Sequence, residues 1–458
     1  MTEGKGSQKQ MFDAETLTMA LLDSYDPYSH EGKGLVPPLH VSVTNVFDRA
    51  IDGKWAFAHA YSLQSVIEQM VADGYQGPVG QIYARLTSPT IDVLEHAFKI
   101  LEPDADWALT FASGMAAISA LMLTACNQRL GDSIDSSARD VVLTTAPVYG
   151  GTHGLTHAYI QRFGFTNHVV DMEDPDALEQ AFARFGNRLA LVFTETPANP
   201  TLDMVDIQAL VDQIARLTAR YRLGHRPILA VDNTFMGIFQ NPLRLGADVC
   251  VYSATKYMGG HSDTLCGVLI GKQSPVSCVI KPVVGNTREV SLFKALLTTR
   301  TFLGDMLSAD VAQRMYAHLQ TYPLRMETMS RNAQRVAERL VGHAKIEQLV
   351  FPTYLSGRNA DIFRKQCLGT GAMIALRLKE DSEAAAFRFL DGLQQCMRAV
   401  SLGTTRSLAE HPGAWTHSDI APSLQVDMGI TPGLVRLSIG LGSADEITAD
   451  LLQALECV

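Results

Sequence analysis

The sequence predicts an α/β fold: a mainly parallel sheet flanked by helices, with a smaller C-terminal α+β domain. Three observations carry that prediction. Between residues 91 and 300, short β-rich runs alternate with amphipathic helical stretches, the pattern of a parallel sheet covered on both faces. After them comes a long helical region, followed by further strand and helix candidates. The chain has 458 residues, more than one compact core holds at roughly one domain per 150 residues.

Taken in order, residues 1–90 read as an N-terminal arm with few elements of its own. It has a polar start from Met1 to Asp13, the adjacent Pro37 and Pro38, and a loop-rich stretch from Ala72 to Pro78. Residues 91–300 read as a large domain with strands at Trp107–Phe111, Val141–Thr145, Leu189–Phe193, Ile228–Val231, Val249–Tyr252 and Gly267–Ile270. Residues 301–458 form the smaller domain. The helical region from Leu292 through Leu340 leads into it, with Pro323 as the clearest expected break. Strands are then expected at Met373–Leu378 and Val435–Ile439, and helices at Ser382–Met397 and Ala444–Leu455. There is no internal repeat and no low-complexity tract.

Composition excludes several classes of function. Hydrophobic content of 47% with 19% charged residues is ordinary for a soluble globular chain. Apolar runs break before the roughly 18 residues a membrane span needs, so no membrane partner is expected. A formal charge of −10 without a Lys/Arg-rich run argues against nucleic acid, because backbone phosphates call for a basic surface. The polar start lacks the apolar core of a secretory signal. Seven cysteines, odd in number and without a CxxC pair, read as reduced thiols, and a cytoplasmic location is expected.

The chemistry concentrates at strand ends. Ala230-Val231-Asp232-Asn233-Thr234 and Tyr252-Ser253-Ala254-Thr255-Lys256-Tyr257 each follow an apolar run, which places Asp232 and Lys256 where open α/β sheets bind ligands. Lys256 can form an imine with an aldehyde, while Ser253 and Thr255 can donate to a nearby phosphate. Asp232 can pair with a protonated pyridine nitrogen, and that positive charge draws electrons from a substrate's α-carbon. As lone residues, a surface lysine and a capping aspartate are the commoner explanations; together with the other segments they are not.

Phe111-Ala112-Ser113-Gly114-Met115 leads from a strand into an Ala-rich helix, so Ser113, Gly114 and Met115 can cup an anion at the helix's positive end. By itself a Ser-Gly pair is more often a simple cap. The ring of Tyr149, in Pro147-Val148-Tyr149-Gly150-Gly151-Thr152, can lie against a flat heterocycle or pack in a turn. Asn199, in Glu195-Thr196-Pro197-Ala198-Asn199-Pro200, can bond a ring hydroxyl, although turn chemistry also accounts for Asn-Pro.

Together these segments resemble the Cys/Met-metabolism family of fold-type-I pyridoxal-phosphate enzymes, from Val36-Pro37-Pro38 to Leu455. Ser253-Ala254-Thr255-Lys256-Tyr257 with Gly260-His261-Ser262-Asp263 carries most of the likeness, with Glu195 to Pro200 and Val231-Asp232-Asn233-Thr234. The resemblance implies pyridoxal 5′-phosphate as cofactor, held by Lys256, and a small amino acid as substrate. It implies that Tyr83 and Arg85 of Tyr83-Ala84-Arg85 reach across a dimer interface to the neighbouring subunit's phosphate, in a homotetramer of two catalytic dimers. It implies that Arg436, helped by Ser401 and Leu402, holds the substrate's α-carboxylate, and that Tyr149 assists proton transfer. The activity it implies is γ-elimination on a methionine- or homoserine-type amino acid, yielding a keto acid and ammonia. Second is γ-replacement on an O-acylhomoserine by a thiol or sulfide; a catalytically silent cofactor-binding regulator is a third class.

The chain departs from the family pattern in places. Ser88-Pro89-Thr90 replaces Asn-Pro-Thr, the stretch from Phe47 to Tyr83 is longer, and His153-Gly154 stands where cystathionine γ-lyases carry an arginine. Gly151 replaces the cysteine of methionine γ-lyases, and Arg406 replaces an acidic residue, which disfavours a cationic substrate tail. Two other chemistries are weak: His153 and His157 have metal-ligand spacing without a third ligand, and His261-Ser262-Asp263 are too close in sequence to form a relay.

Overall fold

Six apolar runs become strands of one sheet. A computed structural model describes residues 13–29, 33–61, 63–77, 79–126, 139–273, 277–280 and 288–458. Met1 to Phe12 of the polar start, and Pro78, lie outside them. The large sheet comprises β1 (Trp107–Phe111), β2 (Val141–Thr144), β3 (Thr166–Val169), β4 (Leu189–Glu195), β5 (Ile228–Asp232), β6 (Val249–Tyr252) and β7 (Gly267–Gly271), in the order β1-β7-β6-β5-β4-β2-β3. The five strands from β3 to β6 are parallel, and β7 is antiparallel to both its neighbours. β1 therefore points the same way as β6, and the carboxyl ends of β1, β2, β4, β5 and β6 share one edge.

Burial explains why these strands are visible in the sequence. β2, β4, β5 and β6 are buried along their whole length, and a strand covered on both faces must be apolar throughout. Each buried Leu, Val or Phe contributes about 1.5–3 kcal/mol. β3, absent from the expected strands, lies at the sheet margin beside β2 with Thr166, Asn167 and His168 only partly buried. It needs no apolar run.

A short hairpin, β8 (Ser277–Ile280) with β9 (Arg288–Ser291), precedes the second sheet. That sheet has five strands: β10 (Ile346–Val350), β11 (Met373–Leu378), β12 (Met397–Arg398), β13 (Leu408–Glu410) and β14 (Leu434–Ser438), ordered β10-β11-β14-β13-β12. β11 and β14 match the expected strands, whereas β10, β12 and β13 were not anticipated. The helix Ala444–Leu455 stands where expected, but the helix expected to reach Met397 ends at Gly392.

Two expectations are corrected. The helical region is three helices, Leu292–Leu303, Ala309–Leu319 and Tyr322–Leu340. Pro323 stands in the first turn of the third, just past a break, where the amide it lacks would be unpaired in any case. One break begins at Gly304, whose φ of 76° suits glycine, and the other falls at Gln320 and Thr321, just before Pro323. The arm also has more structure than expected, with helices Ala14–Leu22, Ala50–Ala60 and Gln64–Ala72. The last two are short and weakly patterned; Arg49 caps the first of them through Asp52, and Gly53 lets the Phe47 ring pack close. Among the described residues, no helix is long and apolar enough to cross a membrane. All seven cysteines are unpaired thiols.

Candidate active site

Lys256 emerges from the turn after β6 and is fixed by its neighbours. The Ser253 amide donates to Thr234 Oγ1 at 2.9 Å, tying this turn to the end of β5. The Lys256 amide donates to the Ser253 carbonyl at 3.0 Å. Thr255 Oγ1 donates to the Cys266 carbonyl (3.1 Å) and accepts from its amide (3.0 Å), so in this conformation that hydroxyl braces the turn. Lys256 Nζ bonds Ser401 Oγ at 2.7 Å. Burial, and then the charge of Arg436, lower the Lys256 amine to about 8, with Glu410 opposing.

Asp232, the last residue of β5, is the register partner of Glu195, the last of β4. The Thr234 amide donates to Asp232 Oδ1 at 3.0 Å. Burial raises Asp232 to about 6, leaving it ionised at neutral pH. Glu195 is pushed well above the usual carboxylate range, by burial and then by the Asp232 charge. Two carboxylates this close do not readily share two charges, so the negative charge rests on Asp232. Glu195 also shapes the site: its oxygens accept from the Tyr149 amide (2.9 Å) and the Asn199 amide (2.8 Å).

Ser113 caps the helix Gly114–Ala125 through a 3.0 Å bond from the Ala116 amide. A Cβ at Gly114 would lie 2.9 Å from that of Ser253, so only glycine lets the helix start and the lysine turn approach this closely. A Cβ at Gly151 would meet Tyr149 Cε1 at 2.6 Å and Met115 Sδ at 3.0 Å, which places Tyr149 and Met115 side by side. The Tyr149 ring is 39% exposed, open to a ligand. Burial raises its phenol, which keeps its proton at neutral pH.

Arg436, on β14, closes the site from the smaller sheet. Its Nη1 donates to Asn199 Oδ1 at 2.7 Å and its Nη2 to the Ser401 carbonyl at 2.8 Å. Ser401 holds a φ of 88°, rare for a residue other than glycine, and its carbonyl and hydroxyl thereby reach Arg436 and Lys256 together. Leu402 is buried beside it. Glu410, which the motif reading missed, lies 3.0 Å from Arg436. Its signal was an acid inside the apolar run Leu408-Ala409-Glu410.

Contacts and strand register thus connect Ser113, Gly114, Ser253, Asp232, Glu195, Tyr149, Asn199, Arg436, Ser401 and Lys256, with Thr234 joining Ser253 to Asp232. Tyr83 and Arg85 sit elsewhere within the chain: Arg85 donates to the Thr301 carbonyl at 2.9 Å, with its guanidinium 5.6 Å from the Tyr83 ring centre. Arg406 is exposed. His153 and His157 stack with ring centres 3.8 Å apart, and no group of three possible metal ligands occurs among the described residues. His261 bonds the Gly259 carbonyl, while Asp263 faces His318.

Fold and site together present a half-buried lysine of lowered basicity at the edge of a mainly parallel sheet, the arrangement of an enzyme that uses an aldehyde cofactor. Pyridoxal 5′-phosphate fits these groups: a lysine of lowered basicity, an ionised acid for a ring nitrogen, a glycine-lined helix start for a phosphate, and an aromatic face. The chain belongs to the Cys/Met metabolism family of PLP-dependent enzymes, whose pattern matches residues 57–456. It is 35% identical over 440 residues to L-methionine gamma-lyase of Pseudomonas putida, covering 96% of each chain. It is 33% identical over 405 residues to O-acetyl-L-homoserine sulfhydrylase of Leptospira meyeri, covering 82% of this chain and 86% of that one. Cystathionine gamma synthase from Xanthomonas oryzae pv. oryzae shares the fold with a TM-score of 0.78 at 28% identity, over 96% of this chain and 98% of that one. The chain is accordingly a pyridoxal-phosphate enzyme of cysteine and methionine metabolism, within a family of lyases and synthases.

Proposed function

We propose that the enzyme catalyses γ-elimination on a methionine- or homoserine-type γ-substituted amino acid, releasing an α-keto acid, ammonia and the γ-leaving group. The observation that carries this reading is the near full-length likeness to the Pseudomonas putida lyase. Lys256 would hold the cofactor's aldehyde carbon, and Ser113, Gly114, Met115 and Ser253 its phosphate, joined by Thr255 once its hydroxyl turns from the Cys266 carbonyl; Asp232 would hold its ring nitrogen, and Tyr149 and Asn199 its ring. When bound, the cofactor supplies an electron sink conjugated to the substrate's amine.

The chain's own groups do the rest. Lys256 Nζ would take the proton from the substrate's Cα; with an amine at about 8, half of it is neutral at pH 8. Arg436 anchors the α-carboxylate, with Ser401 and Leu402 beside it. The Tyr149 hydroxyl, protonated at neutral pH, can hand its proton to the departing sulfur or oxygen. Likeness to the Leptospira meyeri sulfhydrylase favours a second reading, γ-replacement on an O-acylhomoserine by a thiol or sulfide. Incubation with γ-substituted amino acids, with and without a thiol, separates the two: keto acid and ammonia without thiol mark elimination, and a thioether formed only with thiol marks replacement.

The same reading makes the enzyme a cytoplasmic homotetramer in which Tyr83 and Arg85 serve the neighbouring subunit's phosphate. Leu35, Val36, Val41, Val43 and Val46 of the arm are exposed in the single chain, which supports packing on a second copy. Lys256→Ala and Arg85→Ala chains should then complement each other. Half of a statistical mixture of dimers carries one intact site, so recovery reaches at most about a quarter of full activity. Verified hetero-oligomers that recover nothing would assign Arg85 to its own subunit.

A further inference from the structure

Arg436 is neutralised before any substrate arrives. It and Glu410 are 3% and 1% exposed, respectively, and they are register partners across β13 and β14. Glu410 Oε1 lies 3.0 Å from Arg436 Nη1 and accepts from Thr416 Oγ1 at 3.0 Å. Glu410 Oε2 is buried with no hydrogen-bond partner. An α-carboxylate arriving at Arg436 would put a second negative charge on a guanidinium that already has one, in surroundings that solvate neither.

We infer that Glu410 gives up its charge when substrate binds, taking one proton from solvent on Oε2 and leaving Arg436 to the substrate's carboxylate. Oε2 suits this because it breaks no hydrogen bond on protonation, and as a hydroxyl it can donate to the incoming carboxylate. Burial already pushes the Glu410 carboxyl above its ordinary range, against the pull of Arg436, Thr416, Lys256 and His411. The charged or titratable groups around it are Arg436 on β14, Lys256 on the β6 turn, Tyr149, His411 beside it in the chain, and His417 through Thr416. His417, lowered to about 4 by burial, stays neutral between pH 7 and 9. Glu410 is thus a positioning residue that couples amino-acid capture to proton uptake, an inference that rests on Arg436 as the carboxylate anchor.

Calorimetry on the holoenzyme tests this. L-Norleucine, which lacks a γ-leaving group, and n-pentylamine, the same molecule without its carboxylate, are titrated at pH 8 in two buffers of different ionisation enthalpy. Norleucine should take up about one proton more than pentylamine, and in Glu410→Gln that difference should vanish. Above the titration of Glu410, norleucine affinity in the native enzyme should fall about tenfold per pH unit relative to the variant. Equal proton counts for the two ligands in the native enzyme, or a difference that persists in Glu410→Gln, would overturn the inference. The first comparison decides the matter even if the variant does not fold. If both ligands bound the native enzyme equally tightly, the carboxylate anchor itself would fail, an outcome distinct from a failure of Glu410.

Discussion

At the edge of the large sheet, Asp232 ends its strand and Ser253 and Lys256 follow one, whereas in the small sheet Arg436 sits mid-strand with its register partner Glu410, the last residue of β13, against it. The first group keeps hydrogen-bonding capacity open, since Lys256 Nζ touches one hydroxyl and Asp232 one turn amide. In the second, Arg436 is already engaged by Asn199, Ser401 and Glu410. The edge of the large sheet therefore presents groups open to a ligand, and the small sheet a guanidinium that is already engaged.

The comparison breaks most readily at Lys256. Lys256→Ala should remove the cofactor's visible-violet absorption band and lower turnover by at least about 10²–10⁴-fold. Full activity in that variant would end the assignment of the whole strand-end group. Asp232→Asn should retain the cofactor and slow α-proton abstraction by about two orders of magnitude, because the ring nitrogen's charge is no longer held. Isotope exchange at Cα measures it, and near-normal exchange would remove Asp232 from that role.

Arg436→Leu sharpens the contrast from the other side. Losing a charge-assisted contact of about 1.5–3 kcal/mol should lower kcat/KM roughly ten- to a hundredfold with cofactor absorbance intact. It should also lower stability, since an unpaired buried carboxylate costs about 3–5 kcal/mol. Adding Glu410→Gln should recover most of the melting temperature but not the capture. Loss of cofactor without loss of substrate affinity would place Arg436 in the wrong half. The smallest effect is in pH: kcat should rise about tenfold from pH 7 to 9 as the Lys256 amine, at about 8, loses its proton, then level off. A flat profile would mean that another group takes the proton.

Legibility in the sequence followed the same division. β2, β4, β5 and β6 could be read because burial on both faces leaves an unbroken apolar signature. Lys256, Asp232 and Ser113 could be read because each follows such a run within a few residues. β3 and β13 could not be, one lying at a sheet margin and the other only three residues long. The helices Ala50–Ala60 and Gln64–Ala72 carry too little periodicity to stand out from the arm.

By itself the sequence determined the sheet, the lysine turn and the kind of cofactor they suit, because those depend on residues close together along the chain and on strand burial. The tertiary structure alone decided that Glu410 neutralises Arg436. It alone decided that Glu195 holds the amides of Tyr149 and Asn199, and that Thr255 is engaged by Cys266. These are contacts between partners brought together by folding, and whether a buried charge is open or already compensated depends on what packs against it.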